Sequence, residues 1–250
     1  MKIDFLYHGG AVGASGYITL PFQETMPIQA SAALPVTGGH GSAFAERFCH
    51  RDYFSFERAE THVVGSFSEK DQAWGTLATS TIEGINILNV VTCDKIVARI
   101  TSKHPKDGSE PSFIPLGSRV ENLRIAGHKI DVEVATDIYT EHNTWSKLTK
   151  AHAAKKEVRD TILSKGNKLS APGEMTRVSL ARNIDKLPGG LTRNGHGIYV
   201  PHFGTVYVGE YFVSATMHRL LMLHVDLGCS IEGCYGAGGA DGNGSPPPRT

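Results

Sequence analysis

The sequence has no net charge, few cysteines and no long apolar run, and each absence removes a class of function. Lys plus Arg and Asp plus Glu both number 25 in 250 residues, and no cluster of five or more basic residues compensates locally. Neither nucleic acid nor a membrane is therefore an expected partner. No stretch approaches the roughly 18 apolar residues of a membrane-spanning helix. The start, Met1-Lys2-Ile3-Asp4-Phe5-Leu6-Tyr7-His8-Gly9-Gly10, lacks the apolar core of a signal peptide. The expectation is a soluble, cytoplasmic protein. Four cysteines, Cys49, Cys93, Cys229 and Cys234, are too few for a disulfide scaffold in a chain of this length. The last two stand in C-x4-C spacing with His224 five residues ahead, which is half of a metal site without its second ligand pair. Ordinary buried thiols or a local disulfide are the reading, and no metal or cofactor is expected.

Chemical motifs are also sparse. Gly236-Ala237-Gly238-Gly239-Ala240 and Pro188-Gly189-Gly190 have neither the strand-to-helix setting nor the Lys-Ser/Thr ending of a phosphate loop. Asp241-Gly242-Asn243-Gly244 alternates like a calcium loop but lacks the terminal bidentate acid.

What is present is β texture. Residues 1–45, rich in Gly, Pro and small side chains, read as an irregular lead-in with a possible strand at Gly16 to Leu20. From there to residue 235 the chain reads as one β-rich domain, with β-branched and aromatic runs at 62–67, 74–82, 85–91 and 95–100 separated by Gly, Asn and Asp. Ser102 to Leu116, with three prolines, reads as a long loop. Ile130, Val132 and Val134 alternate with Asp131 and Glu133, as in a hairpin with one wet face. Arg219 to Val225 is apolar enough for a central strand. Residues 236–250 read as a Gly/Pro-rich tail. One segment breaks the rhythm: Trp145, Leu148, Ala151, Val158 and Ile162 form a single stripe over 144–163. It predicts one long amphipathic helix with Asn143 as N-cap and Gly166 as its stop. The fold class expected is mainly β, a sandwich or irregular barrel of about ten strands with that helix beside it.

A short phrase occurs twice, Ser80-Thr81-Ile82-Glu83-Gly84-Ile85-Asn86-Ile87 and Ser118-Arg119-Val120-Glu121-Asn122-Leu123-Arg124-Ile125. Read as small-x-aliphatic-Glu-x-aliphatic-x-Ile, it is a partly buried strand interrupted after its Glu. Glu83 and Glu121 either converge as an acid/base pair or sit at bulges, bonded to backbone or solvated.

The run from Thr79 to Ala98, together with Gly117 to Val134 and Gly204 to Glu210 followed by Met222-Leu223-His224-Val225, resembles bacterial β-rich proteins called choice-of-anchor P proteins. The resemblance covers about a third of the chain and rests on aliphatic and small residues. It implies a β-sandwich-like surface protein of unassigned activity and carries no catalytic residues. Two departures stand against it: members are normally exported, and the helix at 144–163 is foreign to them.

Proton chemistry has few candidates among the twelve histidines. His50 and Asp52 lie in Cys49-His50-Arg51-Asp52-Tyr53, the densest local cluster, although neighbours on a strand point to opposite faces. His218 and His224, six apart, fall on one face of a regular strand, where a shared site or a half-exposed polar face are both open. Two functions follow. One is an interaction or structural module for an unidentified small molecule or protein. The other is a cofactor-independent cyclase, isomerase or hydrolase with His50, Asp52, Glu83, Glu121, His218 and His224 lining a β-fold cavity. Oligomeric state is not legible.

Overall fold

The computed structural model describes residues 4–162, 175–182, 184, 186–228 and 230–247. Six long strands come first: β1 (Leu6–Leu20), β2 (Glu24–Ala33), β3 (Gly39–His50), β4 (Phe54–Ser68), β5 (Ala73–Ile87) and β6 (Val91–Pro105). Short strands follow, β7 (Ser112–Ile114), β8 (Arg119–Glu121), β9 (Arg124–Ile125), β10 (His128–Lys129) and β11 (Glu133–Val134). Helices α1 (Thr136–Glu141), α2 (Trp145–Ala154) and α3 (Lys156–Ile162) lead to β12 (Thr176–Ser179), β13 (Ala181–Arg182), β14 (Thr192–Asn194) and β15 (Gly197–Val200). Three strands close the chain, β16 (Gly204–Val213), β17 (His218–Gly228) and β18 (Glu232–Ser245).

Two antiparallel sheets form the body. The first runs β14-β15-β16-β17-β18-β1-β2, with β12 also on β16; the second runs β10-β9-β6-β5-β4-β3, with β7 and β8 also on β6. They pack face to face, β18 over β5 and β6, β1 over β4 and β5, and β17 over β6. Neither closes into a barrel. Tyr235, Ile82, Ile96, Met222, Val225 and Tyr211 lie in the apolar layer between them, whose removal from water is the main favourable term in folding.

A row of interruptions crosses each sheet at one level. In the first sheet the pairings place Ala30, Gly13, Gly238, Met222 and Gly209 side by side. Ala30, Gly238 and Gly209, on alternate strands, have φ of 48, 70 and 64°. In the second sheet the row is Arg47, Glu57, Gly84, Asp94 and Asn122, with φ of 51, 67 and 52° at Arg47, Gly84 and Asn122. The five strands of each row take the irregularity together, so pairing carries across the row while side-chain alternation changes phase, and the register shifts only beyond it, as between Ala14 and Gly16 on β1 against β2. The core-facing series in β4 is Phe54 and Phe56, then Ala59, Thr61 and Val63; in β17 it is His218, Leu220 and Met222, then Leu223, Val225 and Leu227. The two sheets approach closely at these rows. A Cβ on Gly13 would stand 3.0 Å from the Ala59 Cβ, and one on Gly238 2.9 Å from Ile96 Cγ2.

The doubled phrase belongs to this device. Glu83 and Glu121 both pair with Lys95 from opposite sides of β6, and each is followed by a left-handed residue, Gly84 or Asn122. The interruption read after each Glu is thus a feature of the backbone.

Several expectations need correction. The supposed lead-in at 1–45 holds β1, β2 and the start of β3, and the supposed tail at 236–250 supplies most of β18, a central strand. Small residues there let backbones and sheets approach, which reads in sequence like a loop. The loop at 102–116 shrinks, because β6 runs to Pro105 and β7 begins at Ser112. The single long helix is not found. Lys155 adopts extended angles between α2 and α3, and the Arg159 guanidinium donates to the carbonyl oxygens of His152 and Ala153, both at 2.9 Å. Those bonds satisfy carbonyls that a continuing helix would use itself. Thr144, not Asn143, caps α2, accepting from the Lys147 N–H at 3.4 Å; Gly166 lies outside the described residues. Trp145, Leu148, Ala151 and Val158 are buried as the stripe required.

Candidate functional site

The phase change in β16 and β17 builds a polar cluster on the outer face of the first sheet. Before Gly209, Val206 and Val208 face the core; after it, Tyr211 and Val213 do. Tyr207 and Glu210 therefore share the outer face although they are three residues apart. On β17 the same change turns His218 inward and His224 outward, so the two histidines expected on one face are on opposite faces.

Glu210 has no solvent exposure. Its carboxylate accepts from His196 Nε2 at 2.9 Å, from His224 Nδ1 at 2.6 Å and from Arg177 Nε. Burial alone would raise its pKa, but the His196 and His224 bonds, with the charges of His224 and Arg177, outweigh it and hold it at about 2. Tyr207 is the pillar of the group. His224 stacks on it at 5.1 Å and 24°, His196 lies 5.0 Å away, and the Arg177 guanidinium sits 4.8 Å above the ring.

The far side of His224 faces two more functional groups. Its Nε2 is 3.1 Å from Cys234 Sγ and 2.9 Å from Asp226 Oδ1. Asp226 and Cys234 are direct partners across β17 and β18, which brings thiol and carboxylate together. Burial lowers the His224 pKa, yet the contacts with Cys234 and Glu210 reverse this and raise it to about 10. Thiol, imidazole and carboxylate stand in the order of a nucleophile, its base and an orienting acid. The thiol, imidazole and Asp226 also form a mixed S, N and O donor set; their ligand atoms lie within 4.8 Å of one another.

The other candidates are scattered. His50 is buried at the end of β3, where Nδ1 meets the Tyr235 hydroxyl at 2.8 Å and Nε2 lies 3.3 Å from Glu24. Asp52 is exposed in the following turn. Glu83 and Glu121 flank Lys95 on the outer face of the second sheet, about 10 Å apart by strand spacing. Each has its own cation: Lys95 at 2.6 Å from Glu83, Arg119 at 2.6 Å from Glu121. A shallow groove of about 310 Å³ beside Val120, Asn122 and residues 129–133 contains none of the six. Cys229 lies outside the described residues. Glu210, Arg177, His196, Tyr207 and Asp226 escaped the sequence reading; the signal for Glu210 was a lone acid within the apolar run Val206 to Val213, which must find partners if buried.

Residues 5–171 match the model of a domain of unknown function, DUF8256. The chain belongs to that family. No curated protein and no solved structure matches it. The DUF8256 match ends before Glu210, His224 and Cys234, yet β1 inside it pairs along its length with β18 outside it.

Inside the core, His218 accepts from the Tyr211 hydroxyl at Nδ1, 2.6 Å, and donates from Nε2 to the Ser214 carbonyl at 3.2 Å. Burial pushes its pKa down to about 3, and burial pushes that of His104 down to about 4. The unfolded chain protonates both near 6.5, so stability present above that value is lost as pH falls, by up to about 1.4 kcal/mol per unit for each group. Loss of the Glu210 charge adds to this as pH falls below about 4.5 toward its lowered folded pKa. His224 works the other way: its raised pKa contributes stability that is complete below about 6.5 and is lost as pH rises toward 10. Urea midpoints across pH should therefore peak near 6 to 7 and fall on both sides. A flat alkaline limb would contradict the His224 assignment.

Proposed function

We propose that this DUF8256 protein is a binding module that takes a ligand on the outer face of its first sheet, at His224, Asp226 and Cys234. The observation that carries the reading is the fully buried Glu210 on that face. A carboxylate surrounded by Arg177, His196 and His224 is costly to desolvate, and what it achieves is to fix the orientation of His224 toward Cys234 and Asp226. Fixed polar groups on rigid strands are a prerequisite for selective binding. The choice-of-anchor P resemblance, which implies a β-sandwich-like surface protein of unassigned activity, is compatible with this role. Thermal melts against metal ions and a metabolite panel test it, since a ligand of the native state alone raises the midpoint. A shift in the parent chain that Asp226→Asn abolishes supports the reading; a panel without any shift overturns it.

The order Cys234, His224, Glu210 supports a second reading as a thiol hydrolase. Against it, Cys234 lies within a central strand laddered to β1 and β17, where backbone N–H groups are committed rather than free to hold an oxyanion. Ester or thioester turnover that disappears with Cys234→Ser would establish this second reading in place of the first.

A further inference from the structure

We infer that His224 Nε2, Cys234 Sγ and Asp226 Oδ1 form a three-ligand site for a zinc-class divalent transition ion. The inference rests on the binding reading above and names its ligand.

Three features of geometry support it. The first is the donor set. Nitrogen, thiolate sulfur and carboxylate oxygen suit Zn²⁺ and its neighbours, whereas Mg²⁺ and Ca²⁺ call for oxygen alone. The second is spacing. Around a tetrahedral ion with bonds of about 2.0 to 2.3 Å, such donors stand roughly 3.3 to 3.5 Å apart. The present separations from His224 Nε2, 3.1 Å to sulfur and 2.9 Å to oxygen, need to open by only a few tenths of an ångström. Asp226 is half-exposed, so its carboxylate has the freedom to do this. The third is the group behind the imidazole. His224 gives its Nδ1–H to Glu210 at 2.6 Å, which leaves Nε2 as the ligating atom. A carboxylate behind a metal-bound histidine fixes tautomer and ring orientation and raises ligand basicity. Glu210 is itself held by Arg177 and His196, so the ring is oriented before any ion arrives.

The approach is open as well. His224 pairs with Gly236 across β17 and β18, and even an added Cβ on Gly236 would meet nothing nearer than Leu221 at 3.4 Å. Three protein ligands leave a fourth position for water or a small anionic ligand.

Cobalt provides the test. The full, untagged chain is stripped with chelator, given one equivalent of Co²⁺, and followed by absorbance. The expected result is a thiolate-to-cobalt charge-transfer band together with the visible bands of a tetrahedral ion, both bleached by Zn²⁺. The charge-transfer band should vanish in Cys234→Ser and persist in Cys49→Ser, whose thiol is exposed on β3. Asp226→Asn, at an exposed position that should fold normally, removes a direct ligand and should weaken Co²⁺ binding by at least about tenfold, the lower end of what losing even an outer partner of a ligand costs. Absence of the charge-transfer band overturns the metal site, as does its persistence in Cys234→Ser. If a metabolite nonetheless gives a thermal shift that Asp226→Asn removes, the metal inference alone has failed; if no panel member gives a shift, the binding reading has failed with it.

Discussion

Glu210→Ala should lower the stability of the chain by about 3 to 5 kcal/mol, because it removes the one anion shared by three buried or half-buried donors. The carboxylate is shielded from water, and Arg177, His196 and His224 all aim at it. Without it, two imidazoles and a guanidinium face each other across a hole. For a chain of this size the loss corresponds to a fall in melting temperature of roughly 10 °C. Glu210→Gln keeps the volume and one acceptor and should cost less. The substitution should also flatten the alkaline limb of the stability profile, since the raised His224 pKa depends partly on Glu210. Chemical denaturation of the parent and both variants measures all three effects. A loss below about 1 kcal/mol for Glu210→Ala would place this cluster with ordinary surface ion pairs.

Gly238→Val should be comparably damaging for a different reason. Gly238 sits in the left-handed region at φ 70°, and any Cβ there would stand 2.9 Å from Ile96 Cγ2 and 3.3 Å from Met222 Cβ. Left-handed backbone costs an ordinary residue about 1 to 2 kcal/mol, and a β-branched residue more. Overpacking against the opposite sheet adds about 1 to 3 kcal/mol. Gly236→Ala, two residues away on the outer face, has no positive φ and meets only ordinary contact with Leu221. It should change stability by less than about 1 kcal/mol. Melting curves of the two variants decide the matter, and equal effects would contradict the close approach of the sheets at this row.

The contrast between these glycines explains what could be read from the sequence and what could not. Strands rich in β-branched residues, such as β5 and β6, or in Leu and Met, such as β17, were legible because alternation or continuous apolarity marks them. Of β1 only the end, Gly16 to Leu20, was legible, and β18 was not. Their glycines and alanines serve close packing, and side-chain volume is the quantity that sequence patterns register. The same rows defeated the placement of His218 and His224, because counting by twos assumes that alternation never changes phase. Met222, where it changes, carries no mark of its own; Gly209 and Gly238 on its neighbours do. Glu210 was visible as an acid among Val206, Val208, Tyr211 and Val213, but its partners come from β12, β17 and the residues between β14 and β15. Local sequence holds no record of that convergence. The interruption after Glu83 and Glu121 was legible, because Gly84 and Asn122 are residues that tolerate a left-handed turn.

The central claim is that the outer face around His224 is a binding surface. Backbone amide shifts, recorded while the panel member with the largest thermal shift is titrated in, test it most directly. The account predicts perturbations centred on Tyr207, His224, Asp226 and Cys234, and on Tyr17, the exposed cross-strand partner of Cys234 on β1, saturating at a single ligand per chain. Perturbations centred instead on the groove between Val120 and Glu133, or on the Glu83 and Glu121 face, would contradict it.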